Sequence, residues 1–195
     1  MRVIAGKFRS RILRSPKGGV FRPTSDRLRE TLFNVLGSRV EGSRFVDLYS
    51  GTGAVGIEAL SRGAAEVVFV ESQISAATLI RKNLDSLGII SGATILQMDA
   101  LRGLEKIAVG CKSGRDVAVD FVYLDPPWAR IEEYERALRF LGTADFLSAD
   151  ACVAVEHRGK IVLAERYGQL HRRRLLQQGD AALSFYGVQP TQGEA

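Results

Sequence analysis

Phe45-Val46-Asp47-Leu48-Tyr49-Ser50-Gly51-Thr52-Gly53-Ala54-Val55-Gly56 decides the fold. Its first five residues form a nearly continuous apolar run, as expected of a strand buried on both faces. The next residues fit G-x-G-x-x-G, and Ile57–Arg62 continue as helix. Glycines permit a tight turn and let backbone N–H groups approach a ligand closely. A strand, a glycine turn and a helix in that order open a βαβ unit with a nucleotide-type ligand site at the turn.

The pattern repeats downstream. Val67–Val70, Ala93–Leu96, Phe121–Leu124 and Cys152–Val155 read as further strands. Helices are expected from about Ile74 to Leu87, Leu101 to Ile107 and Glu132 to Leu141. Alternating strands and helices require a mainly parallel sheet covered on both faces. The tail differs: Leu170–Gln177 and Ala181–Tyr186 flank Gly179-Asp180, which predicts a closing antiparallel hairpin. Upstream, Thr24 or Ser25 can cap a helix with Asp26 in its first turn. Leu28, Leu32, Val35 and Leu36 give that helix one apolar face. Residues 2–14 suit a short hairpin, with Val3-Ile4 and Ile12-Leu13 as its apolar parts.

Composition narrows the class. The chain has 195 residues, which suits one domain with at most a small appendage. No apolar run approaches the roughly 18 residues of a membrane span, and the N-terminus lacks the apolar stretch of a secretory signal. Cys111 and Cys152 suggest no disulfide framework, so both are expected to be reduced thiols packed as small hydrophobes in a cytoplasmic protein. His157 and His171 are isolated, and no metal-ligand spacing is present. His157 is expected to cap the fifth strand. The net charge is +5, and its distribution is informative. Residues 1–22 hold Arg2, Lys7, Arg9, Arg11, Arg14, Lys17 and Arg22 and no acid, with Phe8 and Phe21 among them. Cations for phosphates and rings for bases suit a nucleic-acid surface, although a solvated basic tail has the same composition. Arg172-Arg173-Arg174 can extend that surface or merely line a solvated strand edge.

The candidate cofactor residues fall at strand ends, where ligands sit in an open α/β sheet. Glu71 ends the second strand and can accept hydrogen bonds from both hydroxyls of a ribose. Asp99, after the third, can accept one from an adenine amino group. Capping of strand ends is the plainer role of both. These features fit NAD and S-adenosylmethionine alike, but two details favour the latter. Asp47 stands four residues before Gly51, awkward beside a pyrophosphate and apt for an ammonium. In addition, some 44 residues precede the first strand, whereas an NAD domain usually opens its chain.

Asp125-Pro126-Pro127-Trp128 ends the fourth strand. Two prolines remove two N–H donors and fix two φ angles, which holds the Asp125 and Pro126 carbonyls rigid. An exocyclic base amine is a poor nucleophile because its lone pair is delocalised into the ring. Accepting one N–H on the Asp125 carboxylate and the other on the Pro126 carbonyl moves the nitrogen toward tetrahedral geometry, so that it can attack a methyl sulfonium in line. Trp128 can stack on a base that has left its own stack. A structural Pro-Pro turn with a half-buried tryptophan is the plainer alternative.

With these residues in view, the chain resembles the bacterial RsmD family, which methylates N2 of one guanine in small-subunit (16S) ribosomal RNA. The likeness rests on Arg2-Val3-Ile4-Ala5-Gly6, on Arg22–Asn34, on Asp47–Gly53, on Glu58–Ala64 and on Asp125-Pro126-Pro127. Trp128 stands where the family usually has tyrosine or phenylalanine. The resemblance implies a Rossmann-like class I S-adenosylmethionine-dependent methyltransferase. Its α/β sheet would be seven-stranded and mostly parallel, with a C-terminal antiparallel hairpin. Residues 1–23 would be a basic RNA-binding hairpin and 24–195 the methyltransferase domain. Asp47, Ser50, Gly51, Thr52, Gly53, Glu71, Ser72, Asp99 and Ala100 would hold the cofactor, with Thr24, Arg29 and Phe33 near its methionine end. Arg2, Lys7, Arg9, Arg11, Arg14, Arg22 and Arg27 would contact RNA. The expected partner is 16S ribosomal RNA in the small subunit or its assembly precursor, met by a monomer, with S-adenosylhomocysteine as product. Three alternatives share part of the pattern. An N6-adenine DNA or RNA methyltransferase shares the reactive motif. An NAD-binding oxidoreductase shares the glycine loop and predicts tight NAD binding. A non-catalytic RNA-binding module has no need of an amine pocket.

Overall fold

The computed structural model describes residues 1–15 and 25–189. Eight strands form one sheet in the order β3-β2-β1-β4-β5-β8-β7-β6. The parallel part comprises β1 (Arg44–Leu48), β2 (Glu66–Val70), β3 (Ala93–Leu96), β4 (Val119–Leu124) and β5 (Leu147–Arg158). β6 (Arg166–Tyr167), β7 (Leu170–Gln178) and β8 (Ala181–Val188) complete it in antiparallel fashion. The β7–β8 hairpin turns at Gly179-Asp180, with Gly179 at φ 62°. The sheet thus has one strand more than the seven expected. The addition, β6, is only two residues long, too short to leave a periodic signature.

Among the described residues, five α-helices cover the two faces. α1 (Asp26–Leu36), α2 (Ala54–Ser61) and α3 (Ile74–Leu87) bury Leu32, Ile57 and Ile80 against Phe45, Phe69 and Phe121. α4 (Ala100–Lys112) and α5 (Ile131–Gly142) bury Leu104 and Leu138 against Val46, Val68 and Val122 on the other face. β1 lies between both clusters and is buried at all five positions, which explains its unbroken apolar reading. Ser25 caps α1, its Oγ accepting from the Leu28 amide at 3.1 Å. α4 runs five residues beyond the expected Ile107. Gly110 near its end interrupts a helical pattern but fits here because Asp116 packs directly against it, leaving no room for a Cβ.

The first fifteen residues are joined to this body. Arg2 and Ile12 form a single antiparallel bridge, and Val3, Ser10 and Leu13 donate backbone bonds across it. Val3 and Leu13 are buried in the cluster beneath α1 and α2, whereas Ile12 is exposed. Gly6, at φ 80°, lies so close to the Ser61 carbonyl that a side chain would collide with it, and the Lys7 amide donates to that carbonyl at 2.7 Å. Glu58 of α2 completes the attachment. Its carboxylate accepts from the Ile4 amide at 2.7 Å and the Ala5 amide at 3.0 Å.

Candidate active site

The chain leaves β1 toward β2 and β3, then returns to β4 on β1's other side. Connections diverge at that point and open a crevice beyond the strand ends. The parallel register pairs Leu48 with Leu124, so Tyr49 and Asp125 begin adjacent loops. A cleft of about 1080 Å³ lies there.

The glycine turn forms its floor. Tyr49, Gly51 and Gly53 have φ of 60°, 53° and 75°. Tyr49 is the costly member, since side chains disfavour this region. It is anchored by its hydroxyl, which donates to Glu133 at 2.8 Å. The two strand-end acids hold the turn from below. The Gly56 amide donates to Asp47 and the Gly51 amide to Glu71, each at 2.9 Å. Glu71 also accepts from the Gln73 amide at 2.8 Å. Asp47 is fully buried, and burial, with Glu71 nearby, pushes its carboxyl up to about 8 against the lowering effect of the Gly56 amide.

Ser50, Gly51, Thr52, Ser72, Asp99 and Ala100 also border the cleft. Asp99 caps α4, accepting from the Arg102 amide at 3.1 Å. Gly53 and Gly56 do not border it, and their smallness serves packing. A Cβ on Gly56 would lie 2.3 Å from the Phe69 ring, and one on Gly53 would lie 3.1 Å from Ile80.

Asp125, Pro126, Pro127 and Trp128 also line the cleft. Pro126 is buried, Asp125 and Trp128 are half-buried and Pro127 is exposed. The Tyr134 hydroxyl of α5 donates to the Pro126 carbonyl at 3.3 Å. Burial, then the charges of Asp125 and Glu156, raise the Tyr134 pKa, so this hydroxyl stays a donor. A carbonyl has two lone pairs, which leaves Pro126 one for a ligand. Glu156, beside Asp125 at the end of β5, also lines the cleft and accepts from the Tyr123 hydroxyl.

Tyr134, Tyr123 and Glu156 were not anticipated from sequence. An acid directly after the apolar run Cys152–Val155 is the signal that could have found Glu156. His157 lies inside β5, buried, with its Nε2 at 2.9 Å from Ser184 Oγ, and burial lowers its pKa. Among the described residues, no group of three His, Cys, Asp or Glu is placed to hold a metal. No described helix is long and apolar enough to cross a membrane.

Arg29 and Phe33, which the resemblance implies near the cofactor's methionine end, lie in the core under α1. Arg29 is fully buried under α1, drawn inward by Asp26 at 2.9 Å and Glu58 at 3.9 Å, and it donates to the Arg2 carbonyl. Phe33 stacks on Phe45 with centroids 6.2 Å apart. Neither borders the cleft. Thr24 and Arg22 lie outside the described residues. Of the expected RNA contacts, Arg2, Lys7, Arg9, Arg11, Arg14 and Arg27 are all exposed. Arg11 donates to the Ser86 carbonyl at 3.1 Å, and the Lys7 ammonium lies 5.5 Å from the Phe8 ring centroid.

The cleft is strongly acidic. Asp47, Glu71, Asp99, Glu105, Asp125, Glu133 and Glu156 face three guanidinium groups, those of Arg102, Arg130 and Arg136. Such a lining suits a cationic ligand and opposes a pyrophosphate.

This fold and crevice define a Rossmann-like class I methyltransferase architecture. The family described as "Conserved hypothetical protein 95" matches residues 1–187. The ribosomal RNA small subunit methyltransferase D of Haemophilus influenzae is 34% identical over 157 residues, covering 80% of this chain and 78% of that protein. The Escherichia coli protein of the same name is 32% identical over 156 residues, covering 80% and 74%. The solved structure of Escherichia coli YhhF superposes with a TM-score of 0.83 at 29% identity, covering 98% of this chain and 99% of that one. The chain belongs to this family, the RsmD family.

Proposed function

We propose that the protein transfers a methyl group from S-adenosylmethionine to the exocyclic N2 amine of a guanine in small-subunit ribosomal RNA, in the assembled subunit or its precursor. One observation carries the reading: Asp125-Pro126-Pro127-Trp128 borders the same acidic crevice as the glycine turn, in the loop next to it. The names of the ribosomal RNA methyltransferase relatives support the substrate class.

Asp47, Glu71, Asp99 and the backbone of Ser50–Thr52 would hold the cofactor, with Ser72 and Ala100 at its edge. Bound there, it supplies an electrophilic methyl on a sulfonium. The protein's own groups would do the rest. The Asp125 carboxylate and the remaining lone pair of Pro126 accept the two amine hydrogens. Trp128 stacks on the base and excludes water from its face. Asp125 takes the proton that the amine loses on methylation. Positioning and fixed polarity are the main catalytic contributions, so no covalent enzyme intermediate is needed.

The test is incubation with labelled S-adenosylmethionine and small subunits from a strain lacking the enzyme. Label on a guanine N2 supports the assignment, and label confined to adenine or to protein overturns it. Asp125→Ala should lower turnover by about 10²–10³-fold, the usual effect of removing a group that holds the reacting atoms, while S-adenosylhomocysteine binding stays intact by calorimetry.

A further inference from the structure

β7 carries Arg172-Arg173-Arg174, and its pairing with β8 is irregular there. Arg172 pairs with Tyr186, and Arg174 pairs with the next residue, Phe185. Side chains alternate across an unbroken strand, whereas a bulge inserts one residue and re-aims its neighbours. Arg173 and Arg174 consequently both border a second groove of about 410 Å³, at the start of β5 and the end of β8. Arg172 stays out of it, donating to the Leu163 carbonyl at 3.0 Å and pairing with Glu165 at 3.3 Å.

A third guanidinium completes the groove. Arg39, just after α1, lies over the Phe121 ring at 5.2 Å and donates to the Asp150 carbonyl at 3.2 Å. Gly187 makes space for the arrangement, since a Cβ there would lie 3.3 Å from both Cγ and Nε of Arg173. Asp150 is the single acid among the described lining residues. Gathering three guanidinium groups is electrostatically unfavourable unless an anion meets them, and planar forks match phosphate oxygens in bidentate fashion.

We infer that this groove is a second RNA-backbone site, holding phosphates at a place separate from the catalytic cleft. The choice of RNA rests on the ribosomal RNA reading above. Position favours it over an acidic protein partner. The groove opens beside α1 and Phe185, on the sheet face that also carries the basic N-terminal segment. One polyanion held at both would be gripped at two points along a single face.

The experiment measures binding of a fluorescent small-subunit RNA fragment across a salt series. It compares the unsubstituted protein with Arg173→Ala/Arg174→Ala and with Arg173→Lys/Arg174→Lys. The alanine pair should weaken binding roughly tenfold at about 0.1 M salt and reduce the slope of log K against log salt by about 1–2. The lysine pair should keep the slope, which separates lost charge from a damaged fold. Unchanged affinity and slope in the alanine pair overturn the inference. So does a loss seen only with assembled subunits and not with naked RNA, which would indicate an acidic protein surface instead. Because this assay reads binding alone, a protein that methylates no guanine amine yet shows the loss would overturn the proposed function and leave the groove standing.

Discussion

The hydroxyl of Tyr134 donates to the carbonyl of Pro126 at 3.3 Å, tying α5 to the loop that carries Asp125. Prolines fix φ but leave the ψ of Pro126 to be set by whatever its carbonyl meets. Tyr134→Phe keeps the buried ring and removes the donor. A single neutral hydrogen bond of about 1 kcal/mol predicts a roughly fivefold fall in kcat. The KM for S-adenosylmethionine should stay put, since the variant removes only the bond to Pro126 and keeps the bond between Glu133 and Tyr49 of the glycine turn. Steady-state kinetics separate the two, and a rise in KM with kcat unchanged would contradict the positioning role.

The proposed place of Asp47 beside the cofactor predicts pH-dependent binding. Burial holds its carboxyl at about 8 in the folded protein, above an unfolded value near 4. The fold thus binds this proton more tightly than the unfolded chain does. The stability it contributes is complete below about pH 4 and is lost as pH rises through 8. A cation seated beside the carboxylate favours the ionised form. Affinity for S-adenosylmethionine should therefore fall as pH drops below 8, by at most about tenfold per unit. Calorimetry at pH 7 in buffers of different ionisation heat should show release of about one proton on binding. Asp47→Asn should abolish the release, and buffer-independent heats in the unsubstituted protein would refute the coupling.

Glu58 is buried yet carries no part of the proposed chemistry. It accepts from two backbone amides of the N-terminal segment and from Arg62 Nε at 2.8 Å, and it lies 3.9 Å from Arg29. Removing one partner of a buried charge cluster leaves the other uncompensated. Glu58→Ala is therefore expected to cost about 3–5 kcal/mol in urea unfolding. Limited proteolysis should then cut within residues 1–15 first. A variant as stable as the parent would show that the cluster is dispensable.

Arg9 and Arg11 are exposed on the N-terminal segment, and Arg11 also donates to the Ser86 carbonyl. Arg9→Ala/Arg11→Ala should weaken RNA binding and lower the salt slope by about 1–2. Thermal stability should barely change, because the segment is held by backbone bonds and by Val3 and Leu13. An unaltered slope would assign these cations to the solvated surface.

The sheet and the strand ends that border its crevice were largely legible in the sequence, and the reasons are local. β1 is buried on both faces, so its apolar run announced itself. α3 and β3 have the bounds their periodicity predicts, and Asp47, Glu71 and Asp125 fall at strand ends where alternation alone places them. What escaped was tertiary. Tyr134 reads as one more large residue on the buried stripe of α5, and its hydroxyl acquires meaning only through the path of the Pro126 loop. The resemblance implies that Arg29 lies near the cofactor's methionine end, and nothing local in the sequence announces that Asp26 and Glu58 draw it into the core. Gly56 completes a ligand-binding pattern, yet its neighbour is the Phe69 ring. A spacing rule records that glycine is needed and is silent on what approaches it.

The grip of Glu58 on Ile4 and Ala5 bears on modularity. Gly53 is the N-cap of α2, so the helix that ends the glycine turn is also the one to which the N-terminal segment is bound. Met1 Sδ even lies 3.9 Å from Thr52 Oγ1. The two surfaces are therefore poor candidates for independent exchange. A chimaera that borrowed its basic segment from a relative would have to import α2 and its arginine partners with it, or give up the alignment of its own glycine turn.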